Sequence, residues 1–347
     1  MNTKMIALCV AATFSASAFA ETGNIVWYGK ANLNVESVKN DKRIAPNKDS
    51  ALRVLSNAST LGIKGSEDLG NNMSGLYQYE VEADGNGASA TVSKGFGVDT
   101  RNSGIGIEGN FGKVIIGKWD TPFKVAHDKI ELFENASSFT ATNLVGRAGG
   151  TAADYNTRQS SVIEYWLPQM GAIKGAISYS PDAAPTTTQN RSRLSLAGTF
   201  EQGPIAATAA YENRSDATTA GKTDSGLRLV GKYTMGDMWF GATIERLTVE
   251  ALTSYTQSNI ELAGQYTMGA NKFAASYAKA GKTNAASSGA NQLTLRYGHD
   301  YSKRTEVYAA LAMLKNDTAG TYSLTQVFGP ALGSKQTVLG AGISHSF

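Results

Sequence analysis

The residues best suited to catalysis or metal binding are few in this sequence and widely spaced. Among 347 residues there are three His, at positions 127, 299 and 345, and one Cys, Cys9. A zinc site needs several such ligands at short regular spacings, and a hydrolase needs a clustered Ser, His and acid; neither pattern occurs. The sequence therefore predicts no enzyme activity, no metal site and no cofactor.

A glycine pattern at 104–109 matches the dinucleotide-binding fingerprint in its letters, GIGIEG. Such a fingerprint binds phosphate only where a strand is followed by a helix N-terminus. Here the pattern lies inside a predicted strand, which is followed by a turn and another strand. These glycines therefore indicate a strand and no nucleotide site.

Composition narrows the class of protein. The chain holds 37 Gly and only 7 Pro, with 41% hydrophobic and 18% charged residues. These values exclude collagen and argue against disorder. The net charge of +3 gives no sign of nucleic-acid binding. No apolar run reaches the ~18 residues that a membrane-spanning helix needs.

The first twenty residues have the form of a secretory signal peptide. Lys4 is followed by a mostly apolar stretch at 5–14 and by a small-residue cleavage pattern at Ala18 and Ala20. We expect cleavage after Ala20, which leaves a single domain at 21–347 and removes Cys9. An exported chain without disulfides is typical of a bacterial envelope protein.

Alternation with a period of two runs through the rest of the chain and predicts β-strands. In one segment Tyr77, Tyr79 and Val81 share one face, while Glu80 and Glu82 share the other. The last segment places Ile343 and Phe347 on one face. No long segment shows helical periodicity, although 123–135 could hold a short helix.

Short turns and long polar connections alternate along the chain and predict about sixteen strands. The predicted short turns are 67–72, 110–112, 168–171, 202–204, 235–237, 268–271 and 302–304. The predicted long connections are 37–50, 85–98, 120–157, 181–190, 214–224, 249–254, 281–288 and 316–335. Every Pro falls in or beside a connection, as expected because Pro cannot pair within a sheet.

This alternation fits two architectures, a soluble β-sandwich and a closed transmembrane barrel. The even strand count, the unequal connections and the terminal Phe347 favour an all-β, closed transmembrane antiparallel β-barrel. Apolar side chains would then face lipid, while polar ones, including Glu80 and Glu82, would face a water-filled lumen. Aromatic residues near the strand ends could form interfacial girdles. They are Trp27, Tyr28, Tyr165, Trp166, Tyr233, Trp239 and Tyr301.

Five segments in order resemble the trimeric, sixteen-stranded Gram-negative general porin family. They are LGIKGSEDLG at 61–70, RNSGIGIEGNFGKVIIGK at 101–118, TP at 121–122, SKRT at 302–305 with Tyr308, and GISHSF at 342–347. The resemblance covers essentially the whole chain after residue 20. It implies an inward-folded third loop in the 120–157 connection, with acids on the loop opposite a basic barrel wall.

The resemblance assigns expected roles to individual residues. On the loop, Glu131 best matches the family's carboxylate, accompanied by Asp128 and Glu134. On the wall, Arg101 and Arg158 match two of the family's basic residues. The assigned residues of the C-terminal assembly signal are Ile343 and Phe347.

One wall position departs from the family pattern. Thr60 occupies the place of a third arginine, so the resemblance does not imply strong anion selectivity. Lys64, which shares strand parity with Thr60, and Lys118 could compensate for the missing charge. We therefore predict weak ion selectivity.

The function implied is an outer-membrane porin for passive diffusion of small hydrophilic solutes and ions. Its expected partners are two further copies in a homotrimer, with the 85–98 loop contacting a neighbour, outer-membrane lipid, lipopolysaccharide and the barrel assembly machinery. A second hypothesis is a channel that prefers organic anions, phosphate or sugars, using Phe123, Phe133, Phe139 and Asn143 of the long loop. A third, from another class, is a surface adhesin that acts through its extracellular loops.

Overall fold

Outward-facing and inward-facing side chains alternate along the long strands of the protein. The computed structural model describes residues 25–42, 49–83, 100–133, 137–150, 152–324 and 331–347. On one strand Leu227 and Leu229 are 48% and 50% exposed, whereas Arg228 between them is fully buried. Successive side chains of a strand point to opposite faces, so one face is apolar and the other polar. The exterior is thus suited to lipid and the interior to polar groups.

Seventeen strand segments pair in one antiparallel sheet. They are β1 (Val26–Asn40), β2 (Ser50–Ser56), β3 (Thr60–Gly70), β4 (Met73–Glu82), β5 (Ser103–Gly109), β6 (Gly112–Asp120), β9 (Arg158–Trp166), β10 (Ile173–Ser180), β11 (Arg193–Gln202), β12 (Ile205–Ser215), β13 (Thr223–Met235), β14 (Met238–Val249), β15 (Tyr255–Met268), β16 (Asn271–Ala280), β17 (Ala290–Asp300), β18 (Thr305–Asn316) and β19 (Lys335–Ser346). Two short strands, β7 (Arg147–Ala148) and β8 (Ala153–Asp154), form a separate hairpin.

The sheet closes because its first and last strands pair. β1 pairs with β19 from Lys30↔Ser346 to Asn40↔Gln336, and with β2 and β3 on its other edge. Since β2 and β3 form one barrel strand interrupted at 57–59, the barrel has sixteen strands. Closure leaves no unpaired sheet edge to lipid, which confirms the predicted transmembrane barrel.

All seven predicted short turns join paired strands, and the long connections lie at the other end of the barrel. Outer-membrane barrels have short periplasmic turns and longer extracellular loops, so this asymmetry orients the molecule. Residues 1–20 and 85–98, to which the sequence assigns a signal peptide and a contact with a neighbour, lie outside the described residues. Strand β5 continues through a two-residue turn into β6, which confirms the strand reading of the glycine pattern.

The prediction of interfacial aromatics is correct for some residues and wrong for others. Trp27, Tyr233 and Tyr301 are 68%, 48% and 72% exposed on the exterior. In contrast, Tyr28, Trp166 and Trp239 lie on the lumenal face, against the ammonium groups of Lys64, Lys113 and Lys232. Shifting by one residue along a strand reverses its face, and Phe240 occupies the lipid-facing place beside Trp239.

The only α-helix among the described residues is α1 (Pro122–His127). It is shorter than the segment 123–135, which the sequence suggests could hold a helix. In the described part of the chain, no helix is long and apolar enough to cross a bilayer.

Candidate functional site

The connection between β6 and β9, residues 121–157, folds into the barrel and is called loop 3 here. It begins with helix α1, which is favoured by an N-cap at Thr121 and by Pro122 in the first turn. The Thr121 side chain accepts a hydrogen bond from the backbone N–H of Lys124 at 3.3 Å. A 3₁₀ turn at Ala141–Asn143 and the β7–β8 hairpin follow. The described part of loop 3 thus has its own secondary structure.

Apolar side chains of loop 3 pack on glycines of the barrel wall. Phe123, Ile130 and Phe139 are fully buried. A Cβ added at Gly241 would lie 2.3 Å from Ile130, and one at Gly340 would lie 2.9 Å from Phe139. Glycine at these wall positions is therefore what allows the loop to approach so closely.

Buried polar groups attach loop 3 to β13 and β14. Arg228 donates to the carboxylate of Glu245 at 2.8 and 2.9 Å, to the Phe123 carbonyl at 2.9 Å and to Asn156 at 3.2 Å. The backbone N–H of Gly146 donates to Glu245 at 2.5 Å. Both charged side chains are fully buried. This ion pair links two parts of the loop to one part of the wall.

A second buried attachment joins the helix of loop 3 to β15. His127 Nε2 lies 2.5 Å from Glu261 Oε2, and His127 Nδ1 lies 3.6 Å from Glu131 Oε2. Glu131 also accepts from the Thr140 hydroxyl at 2.6 Å and from the backbone N–H groups of Leu132 and Phe133. The His127 imidazole therefore lies between the carboxylates of Glu261 on the barrel wall and Glu131 in loop 3.

Loop 3 leaves a polar cavity of about 720 Å³ in the lumen. Among the residues that the structure describes, those that line the cavity include equal numbers of cationic and acidic side chains. The cations are Lys30, Arg101, Lys124, Arg158 and Arg296, and the acids are Glu82, Asp120, Asp128, Glu131 and Glu306.

One side of the cavity carries a network of paired charges from β4, β6, β9 and α1. Arg101 Nε donates to Glu80 at 2.8 Å, and Tyr28 donates to the same carboxylate at 3.0 Å. Asp120 accepts from Lys124 at 2.6 Å and from Arg158 at 3.0 Å. The pairing fixes these side chains in place, and Arg101, Asp120, Lys124 and Arg158 also line the cavity.

The other side combines charge with aromatic rings. Arg296 donates to Glu306 at 2.7 Å, and its guanidinium carbon lies 5.2 Å from the ring centre of Phe133 and 5.6 Å from that of Tyr308. Phe133 is the loop 3 aromatic that lines the cavity. Phe123 and Phe139 are buried against the wall, so the hypothesis that they contact a solute is wrong. The Asn143 amide is used within the loop, where it donates to the carbonyls of Ser138 and Thr140.

The structure brings several of the residues assigned from sequence to this cavity. Arg101, Arg158, Asp128, Glu131 and Glu82 line it. Their roles in conduction stay predictions. The carboxylate of Glu131 is mostly enclosed by the loop, with 8% of its side chain exposed.

The remaining assigned residues lie elsewhere or border the cavity. Thr60 pairs with Lys30 and with Glu82, which both line it. Lys64 lies further toward the periplasm, with its ammonium 5.1 Å from the ring centre of Tyr28. Lys118 pairs in register with Ser103. Neither lysine is among the described residues that line the cavity, and Glu134 lies outside the described part of loop 3.

Sequence reasoning missed half of the charges in this lining: Lys30, Asp120, Lys124, Arg296 and Glu306. Alternation in β1 was a usable signal for Lys30, since Asn32, Asn34 and Glu36 follow it on the same face. The pairing of Lys124 with Asp120, four residues earlier, depends on the helical turn at the start of loop 3. Nothing in the local pattern indicates that Phe133 of loop 3 packs beside Arg296 and Tyr308 on the barrel wall.

The C-terminal residues complete the barrel. The backbone N–H of Phe347 donates to the Gly29 carbonyl at 3.0 Å, and the Gly29 N–H donates back to Phe347 at 3.0 Å. Ile343 and Phe347 are 50% and 53% exposed. Strand β19, which contains Ile343 and ends one residue before Phe347, pairs with both β1 and β18.

A closed barrel with an apolar exterior and a polar lumen narrowed by a loop defines a membrane channel. Comparison with known proteins agrees: a sequence profile of Gram-negative porins matches residues 7–319. Outer membrane porin protein 32 of Delftia acidovorans is 28% identical over 363 aligned residues, covering 100% of both chains. The chain belongs to the Gram-negative porin family and is an outer-membrane channel for passive diffusion.

Solved structures support the same fold. The anion-selective porin from Comamonas acidovorans matches with a TM-score of 0.80 at 25% identity, over 94% of this chain and 100% of that one. A trimer form of OmpT, an outer membrane protein of Vibrio cholerae, matches with a TM-score of 0.64 at 16% identity, over 94% and 99% of the two chains. The second likeness shows the fold alone.

The enclosure of Glu131 predicts a pH-dependent change in ion selectivity. Burial raises the pKa of Glu131 to about 7, assisted by the negative charge of Glu261 and opposed by His127 and the Thr140 hydroxyl. Burial lowers the pKa of His127, but the nearby carboxylates of Glu261 and Glu131 raise it by more, so the net shift is upward. When pH falls from 8 to 6, Glu131 becomes neutral and the lining gains net positive charge. Reversal potentials should shift toward anion preference over this interval.

The control for the pH effect is Glu131→Gln, which has no titrating group at this position. Its reversal potential should show much less change between pH 8 and 6. An equal shift in the native protein and the variant would assign the titration to another group.

Proposed function

We propose that the channel passes small hydrophilic solutes and ions of both signs with weak charge selectivity, that it works as a homotrimer and that it performs no catalysis. The observation that carries the proposal is the charge balance of the cavity, with five cationic and five acidic side chains in its described lining. A narrow cavity whose lining carries no excess charge has little electrostatic reason to exclude either sign.

Solute passage follows from the distribution of these charges. The paired groups around Asp120 lie on one side of the cavity, and Arg296 with Glu306 lies on the other. Opposed polar groups across a narrow aqueous gap orient water and solute dipoles. An apolar solute that displaces this water offers the polar lining no hydrogen bonds in return, so its passage is costly. Small polar solutes can exchange hydrogen bonds with these groups as they pass.

A reversal potential in a salt gradient across a planar bilayer tests the proposal. With a tenfold KCl gradient, we expect a potential close to zero. A potential near the limit for a purely anion-selective or cation-selective membrane would contradict weak selectivity.

Thr60→Arg should shift the channel toward anions. The position pairs with Lys30 and Glu82 at the edge of the cavity, so a guanidinium there adds a sixth cation near the lining. The control is Ser66→Arg, on the same face of β3 but further toward the periplasmic turn. No shift from Thr60→Arg would show that this position does not influence the narrow part of the lumen.

A preference for organic anions is the second candidate. The exposed portions of Arg101, Arg158 and Lys124 lie in the same cavity as the ring of Phe133, a combination suited to a carboxylate attached to an apolar group. The structural relative from Comamonas acidovorans is named an anion-selective porin. Concentration-dependent block of single-channel current by such an anion would favour this candidate over a general pore.

Export and assembly form part of the same proposal. Residues 1–20 act as a cleaved signal peptide. The barrel assembly machinery recognises a C-terminal signal that includes Ile343 and Phe347. The trimeric form of the Vibrio cholerae relative supports a homotrimer.

A further inference from the structure

A second lumenal cavity lies nearer the periplasm than the cavity that loop 3 narrows, and it is called the periplasmic cleft here. Its volume is about 330 Å³, and strands β1 and β3 to β6 supply its lining. The polar and charged residues of this lining are Lys64, Ser66, Gln78, Glu108 and Lys113. Trp119 also lines the cleft, and the next residue along the chain, Asp120, lines the first cavity. A solute that leaves the first cavity toward the periplasm therefore meets the cleft.

The glycine pattern at 104–109 shapes the floor of the periplasmic cleft. Gly104 and Gly106 alternate with isoleucines that are exposed to lipid, so both glycines face the lumen. A Cβ at Gly104 would lie 2.8 Å from the Ile115 side chain, and one at Gly106 would lie 2.7 Å from it. The absence of these side chains lets Ile115 lie directly against β5, where it is buried and forms part of the cleft lining.

Three charged side chains of the cleft are available to a ligand. Among the described residues, none forms an ion pair with Lys64, Glu108 or Lys113. Glu108 and Lys113 are directly opposite on the same face, a placement that favours pairing of opposite charges. The Lys113 ammonium lies instead 3.9 Å from the ring centre of Trp166, and the Glu108 side chain is exposed in the lumen. Both signs of charge are therefore open to a solute in one small cavity.

We propose that the periplasmic cleft binds a zwitterionic α-amino acid with an apolar side chain. The carboxylate of this solute contacts the ammonium groups of Lys64 and Lys113, and its ammonium group contacts the carboxylate of Glu108. Its side chain lies on the apolar part of the lining. That part consists of Val26, Leu76, Ile115 and Trp119. Small-molecule sites have volumes of ~300–1,000 Å³, so the cleft suits a solute of amino-acid size.

The charges of the cleft favour a zwitterion over other small polar solutes. An organic anion would pair with the two lysines but would leave Glu108 without a partner. A neutral sugar would leave all three charges unpaired, whereas a zwitterion complements both signs at once. The inference rests on the proposed function, because a solute reaches the cleft only through the lumen, and it names one class among the small hydrophilic solutes.

The test measures binding of leucine to the purified full-length protein by isothermal titration calorimetry. Isocaproate is leucine without its amino group, and isoamylamine is leucine without its carboxylate, so the two analogues separate the contributions of the two charges. The variants are Glu108→Gln and Lys113→Gln. The matched control is Glu67→Gln, which removes an exposed carboxylate next to Ser66 on the opposite face of β3. Discrete conductance steps in a planar bilayer show that each protein has folded.

The native protein and Glu67→Gln should bind leucine alike, and each should bind either analogue at least about tenfold more weakly. Glu108→Gln should weaken leucine binding by a similar factor without weakening isocaproate binding, and Lys113→Gln should weaken both.

Unchanged leucine affinity in Glu108→Gln would overturn the inference, and native binding of isocaproate as tight as that of leucine would replace it by an organic-anion site. A native protein that conducts ions but binds no leucine would also overturn it and would leave the proposed channel function intact. The absence of conductance steps, in contrast, would contradict the channel function itself.

Discussion

Arg228→Met should release loop 3 from the barrel wall and enlarge the conductance of the channel. The substitution leaves the fully buried carboxylate of Glu245 without its guanidinium partner and also removes the contacts to Phe123 and Asn156. Breaking a buried ion pair from one side costs about 3–5 kcal/mol. Because the barrel strands pair independently of this contact, most of that cost should appear as displacement of the loop. Larger, noisier single-channel currents and faster proteolysis within 121–157 would be the readouts.

The matched control for this prediction is Lys232→Met, on the same face of β13. Lys232 contacts the ring of Trp239, and no carboxylate among the described residues forms an ion pair with it, so its loss should leave loop 3 in place. The double variant Arg228→Met with Glu245→Gln removes the stranded charge and should recover part of the lost stability. Native conductance in Arg228→Met would show that the packing of Ile130 and Phe139 alone holds the loop.

Arg101→Gln with Arg158→Gln should turn the weakly selective channel into one that prefers cations. The lining would then hold three cations against five acids, and Glu80 and Asp120 would each lose a partner. Two unit charges in water interact by about 1 kcal/mol at about 4 Å, which corresponds to roughly a fivefold effect on a permeability ratio per charge. The reversal potential in a KCl gradient should move well away from zero in the cation direction.

Lys64→Gln is the control for the charge prediction. This residue also lies in the lumen and also loses one positive charge, but it lies outside the described lining of the cavity. Its reversal potential should remain near that of the native protein. If Lys64→Gln and the double arginine variant shifted selectivity equally, the total lumenal charge would control permeation rather than the cavity.

The barrel was predictable because its determinants are local. A period of two, the absence of Pro from strand interiors and the contrast between short turns and long connections each act within a few residues. They placed all seven short turns, from 67–72 to 302–304, between strands that pair in the structure. The lumenal side of Glu80 and Glu82 followed from the same parity.

The site was less predictable because it depends on contacts between distant segments. The alternation alone could not assign a face near the strand ends, where two aromatic residues are adjacent. Phe240 faces lipid there, and Trp239 faces the lumen. Phe123 and Phe139 in a polar loop looked available to solutes, but wall glycines such as Gly340 let the loop bury them. Arg296 was not predicted as a cavity residue because its position there depends on a contact with Phe133, some 160 residues earlier in the chain.

Single-channel recording of the purified native protein in a planar bilayer tests the central claim most directly. The claim is that loop 3 narrows a continuous aqueous path with balanced charge. We predict discrete conductance steps that rise in proportion to KCl concentration, with a reversal potential near zero in a salt gradient. The absence of conductance steps from folded protein inserted in the bilayer would contradict the account.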